Sequence, residues 1–353
     1  MEGAIPKVSQ PPAAQLRTLN ASKTPAVLAT RTVLPTSPTP QDTLTDAEAE
    51  TLGSLEKVDD YPLYIMHYTA TYQLESFQGE NSSSTNSSEL FTNPWGCSLF
   101  AAFGGSEAGL YGRNFDWDYS PALLLFKESP GAYASVSMVD LAYFGYEGEK
   151  ATNLLELSLE ERRPLLDAPR LPFDGMNEHG LVVGMAAVQK QPMPYDPGKP
   201  SIGSIGIMRE ALDHARNVDE ALALFERYNI QISGGPPLHY LLADRSGKAA
   251  LVEFLGGEMR ITPNEQPWHA ATNFINAAVE GDRAGTCWRY DAITERMDEK
   301  GGKLSIAEAL ALLEQVSQDS TQWSVVYDLA NMQVHVVVGQ QYGSPPHVFK
   351  LGE

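Results

Sequence analysis

The sequence predicts an α+β fold whose sheets are largely antiparallel. Short apolar runs of strand length fill the chain from residue 97 onward, and two amphipathic helical stretches separate groups of strands instead of alternating with single strands. The 353 residues, of which 42% are hydrophobic, can bury a sizeable core in one large domain or two ordinary ones. We therefore expect a folded domain over 97–353, preceded by segments of different composition.

Six apolar runs predict the strands of this domain, and the last two are long enough to be hairpins that turn at 245–247 and near Asn331. In chain order the runs are CSLFAAF, ALLLFKE, ASVSMVDLAYF, GLVVGMAAV, HYLLADRSGKAALVEFL and QWSVVYDLANMQVHVVVG.

Helices are predicted at two places. Apolar residues recur at three-and-four spacing over 201–229, where Asn217 or Asp219 is placed to cap a second helix. Ser305 and Glu308 form an S-x-x-E capping box, so another helix is expected to begin there.

The chain before residue 97 divides into two parts. Residues 1–55 are rich in Pro, Thr and Ser and show no sustained apolar period, which predicts a flexible arm. Residues 56–96 differ, because apolar and aromatic residues alternate over 59–77 and predict a strand or hairpin. A polar, flexible loop is predicted to follow over 78–94.

Charge and composition exclude several classes of partner. With 45 acidic against 25 basic side chains the net charge is -20, so nucleic acid and anionic membrane surfaces would be repelled. No apolar run is long enough for an integral membrane span. The first residues lack the order of a signal peptide. The chain is therefore cytoplasmic or has lost a signal, and we favour a secreted or periplasmic protein.

Cysteine usage predicts neither a disulfide framework nor a metal site. Cys97 and Cys287 are the two cysteines of the chain, and neither stands at a metal-ligand spacing with other cysteines or histidines. We predict no metal and no cofactor. The sequence does not decide whether these two cysteines form a disulfide bond. Cys287 is interpreted as structural.

Five polar residues are candidates for catalysis. Cys97 could act as a nucleophile, since a nearby cation raises the thiolate fraction, and Arg113 is the obvious cation. Asp116 lies three residues after Arg113, where an arginine fork can hold a carboxylate. Asn177 and Asn273 each stand beside an apolar run, where an amide N–H could face a developing oxyanion. Each also has a structural interpretation as a buried thiol, a surface ion pair or a turn residue.

Taken in order, the motifs GCS, GRNFDWD, DGMNEHGL, TNF and TQWSVVYD resemble the cysteine N-terminal-nucleophile (Ntn) hydrolases of the choloylglycine hydrolase and penicillin V acylase type. The same superfamily includes acid ceramidase, N-acylethanolamine amidase and the acyltransferase of penicillin biosynthesis. The resemblance covers about 97–345. Its most specific feature is the spacing from the cysteine, with Arg113 sixteen, Asp116 nineteen and Asn177 eighty residues later.

This resemblance implies a four-layer αββα sandwich and an inactive precursor. Cutting the bond between Gly96 and Cys97 would free the α-amine of Cys97, which titrates near neutral pH and can serve as the base for its own thiol. Residues 97–353 would be the catalytic domain and 56–96 a propeptide or small subunit. We expect the N-terminal segment to stay bound after cleavage, because its apolar side chains would be costly to expose.

The resemblance also implies roles for the candidates. Cys97 would be the nucleophile, Asp116 would orient the α-amine, and Arg113 would lower the pKa of the thiol. Asn177 and Asn273 would donate to the oxyanion.

The implied substrate is a small-molecule N-acyl amide, whose linear, non-peptide C–N bond is hydrolysed through an acyl-thioester. Four apolar side chains near the motifs suit a hydrophobic acyl group, although they could equally be core residues: Phe115, Trp117, Tyr119 and Met176.

Other functions are also compatible with the sequence, and the sequence departs from the family pattern at one position. The chain could be an acyltransferase of the same fold or a non-catalytic binding protein, and it could form a homo-oligomer. A papain-like pairing of the thiol with a histidine lacks the sequence context of papain; the three candidates would be His179, His239 and His269. Many choloylglycine hydrolases have a further arginine in the C-terminal strands, but no arginine follows Arg296 here. Gln322 and Trp323 stand in that region.

Overall fold

The fold was analysed in a computed structural model, which describes residues 43–72, 96–105, 109–232 and 235–352. The predicted loop at 78–94 and most of the predicted arm lie outside these ranges.

The strands are β1 (Glu56–Asp59), β2 (Leu63–Tyr68), β3 (Ser98–Ala102), β4 (Leu110–Asp116), β5 (Ala122–Lys127), β6 (Ser135–Asp140), β7 (Asp174–Asn177), β8 (Val182–Ala187), β9 (Ser201–Gly203), β10 (Asn229–Gln231), β11 (Leu238–Ala243), β12 (Ala249–Leu255), β13 (Glu258–Pro263), β14 (Trp268–Ala271), β15 (Thr321–Asp328), β16 (Gln333–Val338) and β17 (His347–Lys350). The α-helices are α1 (Asp46–Gly53), α2 (Gly148–Thr152), α3 (Leu159–Arg162), α4 (Gly206–His214), α5 (Val218–Arg227), α6 (Trp288–Lys300) and α7 (Ile306–Gln315).

Two large sheets contain most of the strands. The nine-stranded sheet has the order β1-β2-β5-β6-β7-β8-β11-β12-β13, and the six-stranded sheet has the order β14-β3-β4-β15-β16-β17. Neighbouring strands in both are antiparallel, except that β2 and β5 are parallel. The prediction of mainly antiparallel sheets is confirmed. β9 and β10 form a small parallel pair.

The sheets pack face to face between two layers of helices. Strand β3 of one sheet contacts β8 and β11 of the other. Helices α4 and α5 contact the nine-stranded sheet, whereas α6 and α7 contact the six-stranded sheet. Gly184 lets the sheets approach closely, because a Cβ atom there would lie 2.5 Å from the hydroxyl oxygen of Tyr111. The predicted four-layer αββα sandwich is therefore confirmed.

Local sequence signals explain where several elements begin and turn. At the start of α7, the backbone N–H of Glu308 donates to Oγ of Ser305 at 3.2 Å, as the predicted capping box requires. Asn217 caps α5 by accepting from the N–H of Glu220 at 3.0 Å. The predicted hairpin turn at 245–247 joins β11 to β12, with Gly247 at φ 88°.

The described residues before Cys97 contain a helix that was not predicted. Helix α1 lies within the stretch predicted to be a flexible arm, because Thr45 and Glu48 form a capping box and Leu52 is buried. Strands β1 and β2 form a hairpin over 56–68, which begins before the stretch at 59–77 where a strand or hairpin was predicted. Since β2 pairs with β5 along its whole length, this segment is part of the nine-stranded sheet. Among the described residues, no helix is long and apolar enough to cross a membrane.

Candidate active site

The predicted nucleophile lies immediately before β3, between the two sheets. Only 5% of Cys97 is exposed, and Nη2 of Arg113 lies 3.8 Å from its Sγ atom. The neighbouring carbonyl oxygen of Gly96 accepts a hydrogen bond from Nε2 of Gln318 at 3.3 Å. The structure thus brings together the thiol of Cys97, the guanidinium of Arg113 and the Gly96–Cys97 bond, which is the predicted cleavage junction.

The carboxylate partner of Arg113 is Asp174, rather than Asp116 as the spacing of three residues had suggested. Arg113 on β4 is fully buried and forms an ion pair through Nη1 with Asp174 on β7, so this pair joins the two sheets. Asp174 also accepts from the hydroxyl of Tyr327 and, at 3.5 Å, from Nε1 of Trp323. Residues three apart on an extended strand point to opposite faces, which explains why Asp116 does not pair with Arg113.

Asp116 instead belongs to a network around the predicted junction. Its Oδ1 accepts from the hydroxyl of Thr321 at 2.5 Å, and its Oδ2 accepts from Nε2 of Gln318 at 2.7 Å. Nη1 of Arg289 lies 3.9 Å from Oδ2. Burial raises the pKa of Asp116 to about 6, although these hydrogen bonds and nearby arginines act in the opposite direction. The carboxyl is therefore ionised only above about pH 6 in the uncut chain.

Burial also raises the pKa of the Cys97 thiol. The guanidinium of Arg113 lowers that pKa, the charge of Asp116 raises it, and a hydrogen bond from the backbone of Asp116 lowers it. Burial is the larger effect, so the net direction is upward. The thiol is thus protonated in the uncut chain, and a base is needed to activate it.

Arg289 is a site residue that sequence reasoning missed. It is the second residue of α6, and its Nη1 donates to the carbonyl oxygen of Cys97 at 2.6 Å and to Oγ of Ser98 at 3.1 Å. Its Nη2 donates to Oδ1 of Asn273 at 2.9 Å. A further arginine was expected in the strands after Arg296, whereas Arg289 lies on helix α6. No motif distinguishes Arg289 in the sequence.

The predicted oxyanion donors differ in their placement. Asn273 is connected to the cysteine through Arg289, while its Nδ2 donates to the carbonyl of Ala187 at 2.8 Å. Asn177 lies in β7 with its Nδ2 donating to the carbonyls of Leu212 and Ala215, at 3.0 and 2.7 Å.

The side-chain oxygen and the backbone N–H of Asn177 also form hydrogen bonds. Its Oδ1 accepts from the N–H groups of His179 and Leu181, and its N–H donates to the carbonyl of Leu181. The contacts of Asn177 are those of a residue that fixes a turn against the end of α4. Its role as an oxyanion donor stays a prediction.

The predicted acyl-binding residues separate into core and surface. Phe115 stacks on Trp323 with ring centroids 4.0 Å apart, and both Phe115 and Met176 are buried in the core. Trp117 is half-buried, and Tyr119 is 43% exposed. The core interpretation therefore fits Phe115 and Met176, while an acyl-binding role for Trp117 and Tyr119 stays a prediction.

The histidines considered for a papain-like pair have partners away from the thiol. His239 contacts Glu253 at 3.1 Å, and Nε2 of His269 lies 3.0 Å from the carbonyl of Thr262. The ring of His179 packs edge-on against Tyr133. Both cysteines are free, so they form no bridge. No cluster of three metal-ligating side chains occurs in the described ranges.

The chain is similar in sequence to one family model and one curated relative. Residues 172–342 match the family model described as acyl-coenzyme A:6-aminopenicillanic acid acyl-transferase. A curated relative, uncharacterized protein A284L of Paramecium bursaria Chlorella virus 1, is 32% identical over 101 residues, which are 26% of this chain and 36% of the relative. The chain thus spans little more than a third of that relative.

Three solved structures are similar at low identity. Penicillin V acylase from Agrobacterium tumefaciens is 18% identical, with a TM-score of 0.48, over 72% of this chain and 85% of that one. A mutant of conjugated bile acid hydrolase from Clostridium perfringens is 14% identical, with a TM-score of 0.47, over 72% and 96%. The Caenorhabditis elegans ortholog of N-acylethanolamine-hydrolyzing acid amidase is 14% identical, with a TM-score of 0.45, over 66% and 93%.

The αββα sandwich is the fold class that the motif resemblance implied. The match to the acyl-transferase family model over 172–342, a little under half of the chain, agrees with that resemblance. That match begins after Cys97, Arg113 and Asp116, so the roles of these three residues depend on their geometry.

Proposed function

We propose that the chain is the precursor of a cysteine amidase, which cuts its own Gly96–Cys97 bond and then hydrolyses a linear amide of an N-acyl substrate. The observation that carries this proposal is the placement of the junction. A Cβ atom on Gly96 would lie 3.0 Å from Oδ2 of Asp116, so cleavage would release the new α-amine beside a buried carboxylate. The thiol of the same cysteine faces Arg113.

The geometry supports a distinct role for each site residue in substrate hydrolysis. The α-amine of Cys97 takes the thiol proton, and Asp116 holds the ammonium that forms. The thiolate, facing Arg113, attacks the substrate carbonyl to give a tetrahedral oxyanion. This collapses to an acyl-thioester, and the ammonium gives its proton to the leaving amine. Water attacks the thioester, releases the carboxylic acid and restores the thiol. Arg289 holds the carbonyl of Cys97 and so fixes the backbone beside the nucleophile.

The first test is turnover of N-acyl amides. We expect the cleaved protein to release acid and amine from at least one of phenoxyacetyl amides, long-chain acyl amides and bile-acid conjugates, measured by mass spectrometry. The control is the same protein after thiol alkylation, which should be inactive. Acid release that survives alkylation of Cys97 would contradict a thioester mechanism.

An acyltransferase is a second candidate, favoured by the family model that matches 172–342. In that case an amine, rather than water, resolves the thioester and leaves with the acyl group. Adding a competing amine to the same assay separates the two. A transferase forms the new amide at the expense of the acid, whereas a hydrolase continues to form acid.

The N-terminal segment is expected to remain bound after cleavage. Leu63, Tyr64 and Met66 are fully buried, and removing such side chains from a core costs roughly 1.5 to 3 kcal/mol each. The hydroxyl of Tyr64 also donates to the carbonyls of Ala151 and Thr152 at 2.8 and 2.9 Å. Both fragments should co-elute in native size-exclusion chromatography and separate in denaturant. Elution of the catalytic fragment alone would show that these contacts do not hold the segment.

A further inference from the structure

We propose that Gln318 supplies the oxyanion donor for cleavage of the Gly96–Cys97 bond, with its side-chain amide bonded to the carbonyl oxygen of Gly96. This inference rests on the proposed self-cleavage and assigns a residue to it. Gln318 lies in the turn between α7 and β15, more than two hundred residues after the junction.

The amide of Gln318 is held in place from both sides. Its Nε2 donates to the Gly96 oxygen at 3.3 Å and to Oδ2 of Asp116 at 2.7 Å, and a primary amide has two hydrogens for these acceptors. Thr321 fixes the backbone of the turn, because its Oγ1 accepts from the N–H of Gln318 and its N–H donates to the Gln318 carbonyl, both at 2.9 Å. The donor is therefore pre-positioned at the carbonyl before any reaction.

The residue before the cysteine fits this arrangement only as glycine. A Cβ atom at position 96 would overlap the Gln318 amide group. The nearby arginines have other partners: Arg289 bonds the carbonyl of Cys97, one residue beyond the junction, and Arg113 faces the sulfur. In the described part of the chain, Gln318 is the side chain that bonds the Gly96 carbonyl.

The chemistry places negative charge where this donor points. Sγ of Cys97 gives its proton to the amide nitrogen of the scissile bond and bonds to the carbonyl carbon of Gly96, whose oxygen becomes an oxyanion that accepts from Gln318. Collapse breaks the C–N bond, which leaves a thioester and the free α-amine of Cys97. Water then bonds to the Gly96 carbon, breaks the C–S bond and returns a proton to sulfur. One peptide bond and one water give a carboxylate and an ammonium group.

The test is the rate of self-cleavage in a pulse-chase experiment with the full chain made by cell-free translation. Gln318→Leu keeps a similar volume but removes the donor, and losing one oxyanion donor slows a reaction by about 10²-fold. The matched control is Gln340→Leu, because Gln340 supports the same turn through the carbonyl of Asp319 at 3.3 Å without contacting the junction. We expect slow cleavage in the first variant, ordinary cleavage in the control and similar melting temperatures.

Each other outcome has a defined meaning. If the unmodified chain is never cut, the proposed function fails and this inference fails with it. If the unmodified chain and Gln318→Leu are cut equally fast, the inference alone is overturned. It is also overturned if the Gln340→Leu control is slowed as much.

A second variant decides the case in which Gln318→Leu does not fold. Gly96→Ala leaves Gln318 in the chain but displaces its amide from the carbonyl, and we expect a comparable slowing. Cleavage of Gly96→Ala at the rate of the unmodified chain would overturn the inference.

Discussion

Cys97→Ala is expected to leave the chain uncut and without activity. The nucleophile of both proposed reactions is the same sulfur, so its loss removes self-cleavage and turnover together. The expected effect is complete loss within the range of a gel assay and a product assay. Folding should be retained, because alanine fits this buried site without introducing a polar group.

The matched control is Cys287→Ala, which removes the other free cysteine of the chain. Cys287 is partly exposed just before α6, and we expect normal cleavage and turnover. Cleavage that survives Cys97→Ala would show that another group is the nucleophile. Loss of activity in both variants would show that the effect is not specific to Cys97.

Asp174→Ala is expected to destabilise the fold by about 3–5 kcal/mol, because it leaves the charge of Arg113 buried without its partner. Both side chains have no solvent exposure, and the pair joins the two sheets. The pKa of Arg113 is raised: burial lowers it, but Asp174 and the neighbouring thiol raise it more, so the guanidinium stays charged. The same change should abolish cleavage, since Arg113 would no longer be held beside the sulfur.

The measurement is the free energy of unfolding in urea, made in the Cys97→Ala background so that every variant is a single uncut chain. Asp219→Ala is the control, because Asp219 pairs with Lys248 at the surface, where it is 71% exposed. We expect little change there. Equal, small changes for both variants would mean that the buried pair does not stabilise the sandwich.

The parts of the fold that could be predicted are those set by local sequence. Alternation and apolar runs predicted the central strands, and the box at Ser305 predicted the start of α7. Helix α1 was missed because its stretch shares the composition of the arm, although Thr45 and Glu48 already formed a capping box. Short edge strands such as β17, of four residues, have too little pattern to be recognised.

The site was predictable only where its residues share a motif or a spacing. The proximity of Cys97 and Arg113 was predicted in this way, but the ion-pair partner of Arg113 lies 61 residues further along, in the other sheet. Arg289 is 192 residues from the cysteine and lies on a helix. Contacts of this kind depend on how the layers pack, which periodicity does not describe.

Asn177 shows that one motif can fit two different roles. Its motif and spacing suggested an oxyanion donor, while its contacts are those of a residue that holds a turn against a helix end. A glycine-flanked asparagine before a strand has the same sequence signature in both roles. Only the three-dimensional partners of its amide distinguish them.

Self-cleavage at the Gly96–Cys97 bond is tested by intact mass measurement with N-terminal sequencing of the purified protein. We expect two fragments, one ending at Gly96 and one beginning with Cys97 and its free α-amine. Turnover should increase in proportion to the cleaved fraction. Turnover of an N-acyl amide by a protein whose Gly96–Cys97 bond is intact would show that self-cleavage does not create the active enzyme.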